Sequence, residues 1–502
     1  CSLIMTGKSQ SILFDRHYEF GTWTRGYSAL SLNDSTYCII GTNDSLTVTG
    51  DRYSGLIWKA NMLGDNLLAH QYNTSDTNYN QQFNANSDDY FYSIAKTKDS
   101  NLIVLGSTQS YGATNYYDFD IFLVKFNYNL DTLWTKVISH PNDTAFKPNQ
   151  IIATNDGGYL IGGWAYYFYT PDVRAFLCKV DSTGNLLWYK SYSNLYFTSA
   201  IWNVVETSDH GFLCSGSVFN QQYQGVPILF KVDSIGNFQQ TIINFSGMIK
   251  SFGANLIATN DSNFMWISEN PTGVNNTFRY RFIKTDEAGT IFWDKSYGLH
   301  KDGGPTGILQ TPDGGYLMCG GNGFVTGGGL AQGILLKLDA NGDSLWARFY
   351  GNPTDYGFFW DIEPCNDGGY IMCGETYCCN FTPGVGNTSS LWLVKTDSLG
   401  LLVTGIKEET IFKAATLTVY PNPTTTYCTI TATVPQTNNT GAGKKGASII
   451  LFDMRGKQLL EQPLQTGNNT VQLNLTNYAA GTYLAVLVVD GYNVKQVKVV
   501  KQ

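Results

Sequence analysis

The sequence predicts an all-β chain: a seven-bladed β-propeller closed by its own N-terminal strand, followed by a C-terminal β-sandwich. Three observations predict it. A turn motif recurs seven times; a lysine recurs seven times in step with it; and the strand pattern missing from the last repeat stands at the start of the chain. A single four-stranded sheet cannot bury both of its faces, whereas sheets stacked radially can.

One repeat, residues 149–192, shows the unit. Ile151-Ile152-Ala153-Thr154 precedes a turn at Asn155-Asp156-Gly157-Gly158, and Tyr159-Leu160-Ile161-Gly162-Gly163 follows it. After a loop come Ala175-Phe176-Leu177-Cys178-Lys179-Val180, a second turn at Asp181-Ser182-Thr183-Gly184, and a run from Asn185 to Tyr192. Short apolar runs separated by Gly and Asp punctuation read as strands joined by tight hairpins.

The first marker is an aspartate followed seven residues later by a small residue. Asp34 leads to Gly41, Asp99 to Gly106, Asp156 to Gly163, Asp209 to Gly216, Asp261 to Ser268, Asp313 to Gly320 and Asp367 to Gly374. The second is the lysine near the end of each third strand: Lys59, Lys125, Lys179, Lys231, Lys284, Lys337 and Lys395. Copies stand about 52 to 66 residues apart. Each lysine is expected to be solvated or paired with an aspartate.

The seventh repeat lacks a fourth strand after Asp397-Ser398-Leu399-Gly400. Ile12-Leu13-Phe14-Asp15-Arg16-His17-Tyr18 matches Ile291-Phe292-Trp293-Asp294-Lys295-Ser296-Tyr297 in residue type, so residues 12–18 are expected to complete the last blade. That removes two exposed edges. Strand phase then places the short turns on one face. The long segments 72–89, 107–119, 164–174, 218–226, 321–332 and 375–390 fall on the other, where binding usually sits. The propeller is expected over residues 1–402, a linker over 403–416 and the last domain over 417–502.

Only 14% of residues are charged and the net charge is -8, which argues against a nucleic-acid partner. There is no run of 18 apolar residues, so no transmembrane segment is expected. Ten cysteines in 502 residues are too few to frame the fold. Cys214, Cys319 and Cys373 are expected as small buried residues, and a local disulfide is allowed among Cys365, Cys373, Cys378 and Cys379. A chain opening on Cys1 fits a processed export signal, a lipidated N-terminus or simply the first residue of a shorter piece.

The last segment holds alternating runs at 417–420, 428–434, 448–453, 470–475, 483–489 and 494–500. Short strands at this density suggest a β-sandwich. Its motifs are Val419-Tyr420-Pro421-Asn422-Pro423, then Leu451-Phe452-Asp453-Met454-Arg455-Gly456-Lys457, then Ala480-Gly481-Thr482-Tyr483, and a Gln496–Gln502 tail reading QVKVVKQ. In that order they resemble the type A C-terminal sorting domain of cargo for the type IX secretion system of Bacteroidota. The resemblance implies export across the outer membrane, then release or attachment to surface lipopolysaccharide, with the type IX machinery as partner of residues 417–502. Members of that family usually lose the domain; its presence in this chain fits either a copy not yet cleaved or a retained structural role.

Catalytic signals are weak. None of His17, His70, His140, His210 and His300 has triad or metal-ligand spacing to another candidate. Glu206 and Glu363 fall on expected inner strands, where two carboxylates can act as acid and base. Asp339-Ala340-Asn341-Gly342-Asp343 resembles half of a Ca²⁺ loop, but the same slot is a plain hairpin in sister repeats and no bidentate Glu follows. No cofactor is expected beyond that weak Ca²⁺ signal. Aromatic residues give the stronger signal. Trp164, Tyr166, Tyr167 and Tyr169 lie in one expected long loop, Tyr111, Tyr116 and Tyr117 in another, and Tyr377 and Phe381 in a third. Exposed rings offer flat faces to sugars or proteins. Asp-Ser/Thr-apolar triplets resembling the O-glycosylation acceptor of Bacteroidota occur at Ser45, Thr132, Thr144, Ser234, Ser344 and Ser398.

These features lead to a non-enzymatic secreted or cell-surface protein, an adhesin-like propeller binding glycan or protein through its long-loop face. The alternatives are a self-associating structural subunit of an extracellular assembly and a propeller glycoside hydrolase or lyase.

Overall fold

A computed structural model describes residues 13–20, 23–33, 36–47, 50–72, 88–109, 119–139, 144–167, 172–192, 198–219, 225–244, 255–273, 277–301, 303–323, 331–352, 355–377, 389–402, 415–434, 446–453, 458–489 and 492–502. The described residues are all-β, without a helix. Residues up to 402 form small four-stranded antiparallel sheets of the kind a propeller blade has. The first two units are Trp23–Asn33, Thr36–Thr47, Gly50–Asn61, Asn66–Tyr72 and Asp89–Lys96, Leu102–Thr108, Asp120–Phe126, Thr132–Ile138. Units three and four are Thr144–Ala153, Tyr159–Tyr167, Asp172–Val180, Leu186–Tyr192 and Thr198–Glu206, Phe212–Phe219, Gly225–Val232, Phe238–Asn244. Units five and six are Asn255–Ala258, Phe264–Pro271, Phe278–Thr285, Ile291–His300 and Gly303–Gln310, Tyr316–Gly323, Ala331–Leu338, Ser344–Tyr350. A seventh has Tyr356–Pro364, Tyr370–Tyr377 and Ser389–Thr396 in order. Its fourth strand is Phe14–Tyr18, antiparallel to Ser389–Thr396 with Phe14 opposite Lys395 and Tyr18 opposite Leu391.

Second and third strands are buried on both faces, as in Leu102–Thr108 and Ser389–Thr396, while fourth strands are only partly buried. Apolar clusters therefore lie between neighbouring units; Leu309, Leu335 and Trp346 of unit six, for example, pack with Phe359, Met372 and Trp392 of unit seven. Adjacency of the first strands runs from each unit to the next, and Tyr356–Pro364 lies beside Trp23–Asn33.

The two sequence markers meet in space. In six units the turn aspartate binds the third-strand lysine: Asp99–Lys125 at 2.7 Å, Asp156–Lys179 at 2.8 Å, Asp209–Lys231 at 2.5 Å, Asp261–Lys284 at 2.6 Å, Asp313–Lys337 at 2.8 Å and Asp367–Lys395 at 2.8 Å. These lysines are buried rather than solvated. Lys59 instead donates to the Tyr128 carbonyl of unit two, 2.7 Å away. Burial raises the Asp99 and Asp156 carboxyls, but hydrogen bonds from Lys125 and Thr97, and from Lys179 and Thr154, outweigh it and hold both at about 2.

Fourth strands clamp the following unit. The Tyr192, Tyr297 and Tyr350 hydroxyls donate to the carbonyls of Gly236, Gly342 and Gly400 at 2.8, 2.7 and 2.6 Å. Each of these glycines has positive φ, and an added Cβ would strike Trp188, Trp293 or Trp346 of the clamping strand. The N-terminal strand does the same to unit one: Tyr18 binds the Gly64 carbonyl, and Arg16 meets Asp65 at 2.6 Å.

Strands run further toward the long-loop end than the sequence suggests. The described residues of the segment expected as a loop at 164–174 belong to Tyr159–Tyr167 and Asp172–Val180, which pair Trp164 with Ala175 and Tyr166 with Val173. Tyr377 likewise ends a strand, opposite Ser389. Pairing continues there because the two strands still satisfy each other's backbone groups beyond the last aliphatic residue. Cys365 and Cys373 are free and buried, which corrects the allowed disulfide for that pair; Cys1, Cys378 and Cys379 lie outside the described residues.

The described residues between 415 and 502 form two sheets. One joins Thr416–Tyr420, Tyr427–Val434 and Gly467–Asn474; the other runs Gln458–Leu464, Ala447–Asp453, Gly481–Val489, Tyr492–Lys501. They share a core that includes Ile430, Ala432, Ile449, Leu451, Ala485 and Val499. Gln458–Leu464 was not expected: with Glu461, Gln462 and Pro463 it lacks a strand's apolar alternation, and edge position explains that.

Candidate functional site

The repeated glycine marks a bulge. A one-residue register shift falls at Tyr27, Tyr92, Asn149, Trp202, Thr306 and Trp360 on the first strands. Each of these residues stands fourteen positions before its marker glycine. The bulge brings the first-strand backbone so close that a Cβ on Gly41, Gly106 or Gly374 would lie 1.7, 2.0 or 1.9 Å from the carbonyl oxygen of Arg25, Tyr90 or Phe358. In unit five the marker is Ser268, and the described first strand begins only at Asn255, opposite Ile267.

Bulge residues are half-buried and bond to neighbouring strands. Trp202 Nε1 donates to Ser217 Oγ at 2.8 Å, Thr306 Oγ1 to the Phe359 carbonyl at 2.6 Å, and Asn149 Nδ2 to the Ile201 carbonyl at 2.6 Å. In three units the residue two after the bulge donates to the residue that follows the bulge of a neighbouring unit, lower by one in chain order or, for unit one, unit seven: Ile151 N to Ser93 Oγ, Val204 N to Gln150 Oε1, and Ala29 N to Asp361 Oδ2.

Three bulge residues are aromatic and close together, and they organise a continuous path of rings across units seven, one and two. Trp23 meets Tyr377 at 5.4 Å between centroids, Tyr377 meets Tyr356 at 5.1 Å, and Tyr356 stacks on Phe358. Phe358 meets Trp360 at 4.8 Å, Trp360 meets Tyr27 at 5.7 Å, and Tyr27 meets Tyr92 at 6.1 Å. Tyr92 stacks on Tyr90, and Tyr90 on Tyr53 at 5.2 Å. Lys147 of unit three covers the far end, 4.1 Å from the Phe119 ring centre and 5.3 Å from that of Tyr90.

One ion pair stands beside these rings. Arg25 Nε lies 2.6 Å from Glu375 Oε2, Arg25 Nη2 donates to the Tyr377 hydroxyl at 2.7 Å, and that hydroxyl donates to Glu375 at 3.0 Å. Although close to Glu375, Arg25 Nε makes no well-directed hydrogen bond, and neither does the buried Trp360 Nε1. Burial opposes the Arg25 charge, but Tyr27 and Glu375 outweigh it. Burial raises Glu375 despite Arg25, and burial lowers Lys147, partly offset by Asp88. The result is a half-buried band of rings edged by hydroxyls and a few charges, chemically matched to a ligand with flat apolar faces and hydrogen-bonding rims.

Of the aromatic residues singled out in the sequence, Tyr377 belongs to this cluster. Trp164 and Tyr166 are half-buried on a strand and Tyr167 ends it; Tyr111, Tyr116, Tyr117, Tyr169 and Phe381 lie outside the described residues. Sequence reasoning missed Trp23, Arg25, Tyr27, Tyr53, Tyr90, Tyr92, Tyr356, Phe358, Trp360 and Glu375. The fixed offset from the marker glycine was the signal that pointed to three of them.

The expected carboxylates do other work. Glu206 accepts from Asn155 N at 2.7 Å and lies 3.8 Å from His210. Burial, helped by Asp361, pushes Glu363 up to about 8. No hydrogen bond or ion pair joins these two among the described residues. The Asp339 carboxylate closes its own turn, accepting from Asn341 N and Asp343 N at 2.9 and 2.8 Å, while Asp343 holds Lys295 at 2.6 Å. No cluster of three metal-ligating side chains occurs among the described residues. Of the glycosylation candidates, Thr132, Ser234 and Ser398 are exposed on turns or turn edges, Ser344 is half-exposed, and Ser45 and Thr144 lie in strands.

Residues 418–502 match the family described as the secretion system C-terminal sorting domain. That domain marks proteins exported by type IX secretion to the extracellular or cell-surface space, and it implies interaction with that machinery. No curated protein matches the chain. Among solved structures, a protein of unknown function from Dyadobacter fermentans is similar at 13% identity, covering 61% of this chain and 95% of its own, with a TM-score of 0.42. The Penicillium chrysogenum α-L-arabinanase complexed with arabinobiose is similar at 10% identity, 61% and 93% coverage and a TM-score of 0.41. A Fusarium graminearum α-L-arabinofuranosidase gives 11%, 61%, 92% and 0.42.

Proposed function

We propose that residues 1–402 form a closed seven-bladed β-propeller, that a β-sandwich over 417–502 carries it out of the cell, and that the exported propeller binds a glycan without cleaving it. The observation that carries the binding reading is the ring path from Trp23 to Tyr53 flanked by Arg25, Glu375 and Tyr377. Sugar rings present apolar C–H faces to aromatic side chains and hydroxyls to paired charges, and this surface offers both. Support for closure comes from Ala29 N, which donates to Asp361 in the register that Ile151 N and Val204 N use between sequential units.

The test is a glycan array probed with the full chain, followed by tryptophan-fluorescence titration of any hit. Trp360→Ala and Tyr27→Ala should each weaken binding about tenfold or more, the loss expected for a central aromatic anchor. A chain that retains no glycan, or variants that bind as tightly as the parent, would sink the reading.

A second reading, a self-associating structural subunit, has its own support. Fourth strands expose large apolar side chains, among them Leu67 at 53%, Leu187 at 57% and Phe292 at 53%. Sedimentation of the purified chain across concentrations tests it: a constant monomer refutes self-association.

A further inference from the structure

The three-stranded sheet of the last domain, Thr416–Tyr420, Tyr427–Val434 and Gly467–Asn474, turns one face to the core and the other to solvent. Strand alternation sorts its residues. Leu417, Val419, Ile430, Ala432, Val471 and Leu473 pack inward. The outward positions fall into cross-strand rows. Thr433 stands between Thr416 and Asn468, Thr431 between Thr418 and Thr470, and Thr429 between Tyr420 and Gln472; Tyr427 and Asn474 form a fourth row. Thr429 and Thr433 are half-buried and the others are exposed. No Asp, Glu, Lys, Arg or His stands among these positions. The outward face of the other sheet differs, because Glu461 and Lys498 stand on it beside Ile450 and Leu484.

Side chains on this face hold one another in place. Thr416 Oγ1 donates to Thr433 Oγ1 at 2.8 Å, and Thr433 Oγ1 to Asn468 Oδ1 at 2.9 Å. The Thr418 and Thr431 hydroxyls share a hydrogen bond of 2.5 Å. These bonds fix rotamers, so a ligand meets groups already ordered and less entropy is lost on binding. Hydroxyls and amides repeat in two directions, about 4.8 Å apart between strands and about 6.7 Å apart along them. At one end of this lattice Tyr420 is 80% exposed and Tyr427 46%, on neighbouring strands and one row apart.

Composition selects what such a face takes. A charged polymer needs opposite charge on the protein, and this face has none. A protein contact is anchored by aromatic and arginine side chains at its centre, where threonine is under-represented; here the centre is threonine and the rings stand at the end. A neutral polysaccharide meets both parts. Its hydroxyls exchange hydrogen bonds with Thr, Asn and Gln, and its C–H faces lie on exposed tyrosine rings. A ligand that repeats also matches a lattice that repeats. We propose that the outward face of this sheet docks a neutral polysaccharide, tethering to it any copy of the chain that retains the sorting domain. The surface is separate from the ring path and stands whether or not that path binds glycan.

The experiment is depletion of the full chain from solution by suspended microcrystalline cellulose, chitin and an insoluble β-1,3-glucan, with cross-linked alginate as the anionic control. Depletion by at least one neutral polymer is expected, and it should change little between about 0.05 and 0.5 M NaCl because no ion pair is there to be screened. Tyr420→Ala, at a side chain outside the core, should weaken binding about tenfold. Thr431→Glu, which sets a carboxylate at the centre of the face, should weaken it about tenfold or more. The proposal is overturned if no neutral polymer depletes the chain, if alginate does so equally, if binding is lost at the higher salt, or if both variants bind like the parent. It is also overturned if Trp360→Ala abolishes depletion and Tyr420→Ala does not, which assigns the binding to the ring path. Dimerisation that Thr431→Glu abolishes, without polysaccharide binding, makes the face a contact between copies and likewise overturns it. If Thr431→Glu fails to fold, Tyr420→Ala settles the matter alone.

Discussion

Asp367→Ala should destabilise the protein far more than Lys395→Met, although both remove the same ion pair. The lysine is 0% exposed and the aspartate 25%, so the two partners have unequal recourse to water. Lys395 Nζ donates to Asp367 Oδ1 at 3.0 Å, to Oδ2 at 2.8 Å and to the Thr396 carbonyl at 3.0 Å. Removing Asp367 leaves an ammonium in the interior with one carbonyl. It also orphans Gly369 N, which donates to Oδ1 at 2.9 Å. Breaking a buried pair by deleting one partner costs about 3–5 kcal/mol. Lys395→Met removes the buried charge itself, keeps similar volume, and leaves a carboxylate that water can reach; about 1–2 kcal/mol is expected. This unit is the place to test it because Asp99, Asp156, Asp209, Asp261 and Asp313 are 55, 59, 48, 51 and 60% exposed, where screening blurs the contrast. Urea unfolding of both variants, followed by tryptophan fluorescence with a shared slope, gives the two values. If Lys395→Met costs as much as Asp367→Ala, the aspartate is not there to neutralise a buried cation, and the reasoning fails.

Three further outcomes follow from the same geometry. Gly374→Ala puts a Cβ 1.9 Å from the Phe358 carbonyl, so the bulge must shift; a loss of about 3 kcal/mol or more is expected in the same urea assay, with altered Trp360 fluorescence. Asp99 and Asp156, held at about 2, are depressed acids: their stabilisation is complete above about pH 4 and is lost as pH falls toward 2, so Asp99→Asn should flatten that limb of a stability-versus-pH curve. Glu269, pushed up to about 8, has the opposite sign: the folded chain holds a proton that the unfolded chain releases near pH 4.5, so stability declines from there to pH 8, and Glu269→Gln should remove the decline.

Much of the architecture is legible in the chain because its cause is local. Asp156 and Lys179 recur at fixed offsets because one hairpin turn presents its carboxylate to one third-strand ammonium. The pattern Trp293-Asp294-Lys295-Ser296-Tyr297 recurs because it clamps the next turn, as Lys295 and Tyr297 do on Asn341 and Gly342. The likeness of Phe14-Asp15-Arg16-His17-Tyr18 to it has the same cause. The site was less legible. Aromatic residues dense in sequence, such as Trp164 and Tyr166, stand out locally, whereas the rings that meet come one to three at a time from five strands in units seven, one and two. Glu375 and Arg25 are 350 residues apart in the chain, and no local pattern joins them. Glu206 was read by its position on an inner strand, but position does not reveal that its carboxylate is spent on Asn155 N.

The marker glycine ties fold and site together. Its lack of a side chain admits the bulge, and the bulge turns one first-strand residue out of register in every unit where it is described. The scaffold therefore constrains the backbone at that position and leaves the side chain there nearly free. Tyr27, Tyr92, Asn149, Trp202, Thr306 and Trp360 share a backbone geometry and little chemistry. Pairs that face each other across an interface obey the same logic. Glu375 with Arg25 and Gly321 with Phe358 satisfy each other, so their interfaces are complete. At Glu269 and Gly304 no lysine or arginine among the described residues pairs with the carboxyl, and its burial weakens the fold as pH rises from about 4.5 to about 8.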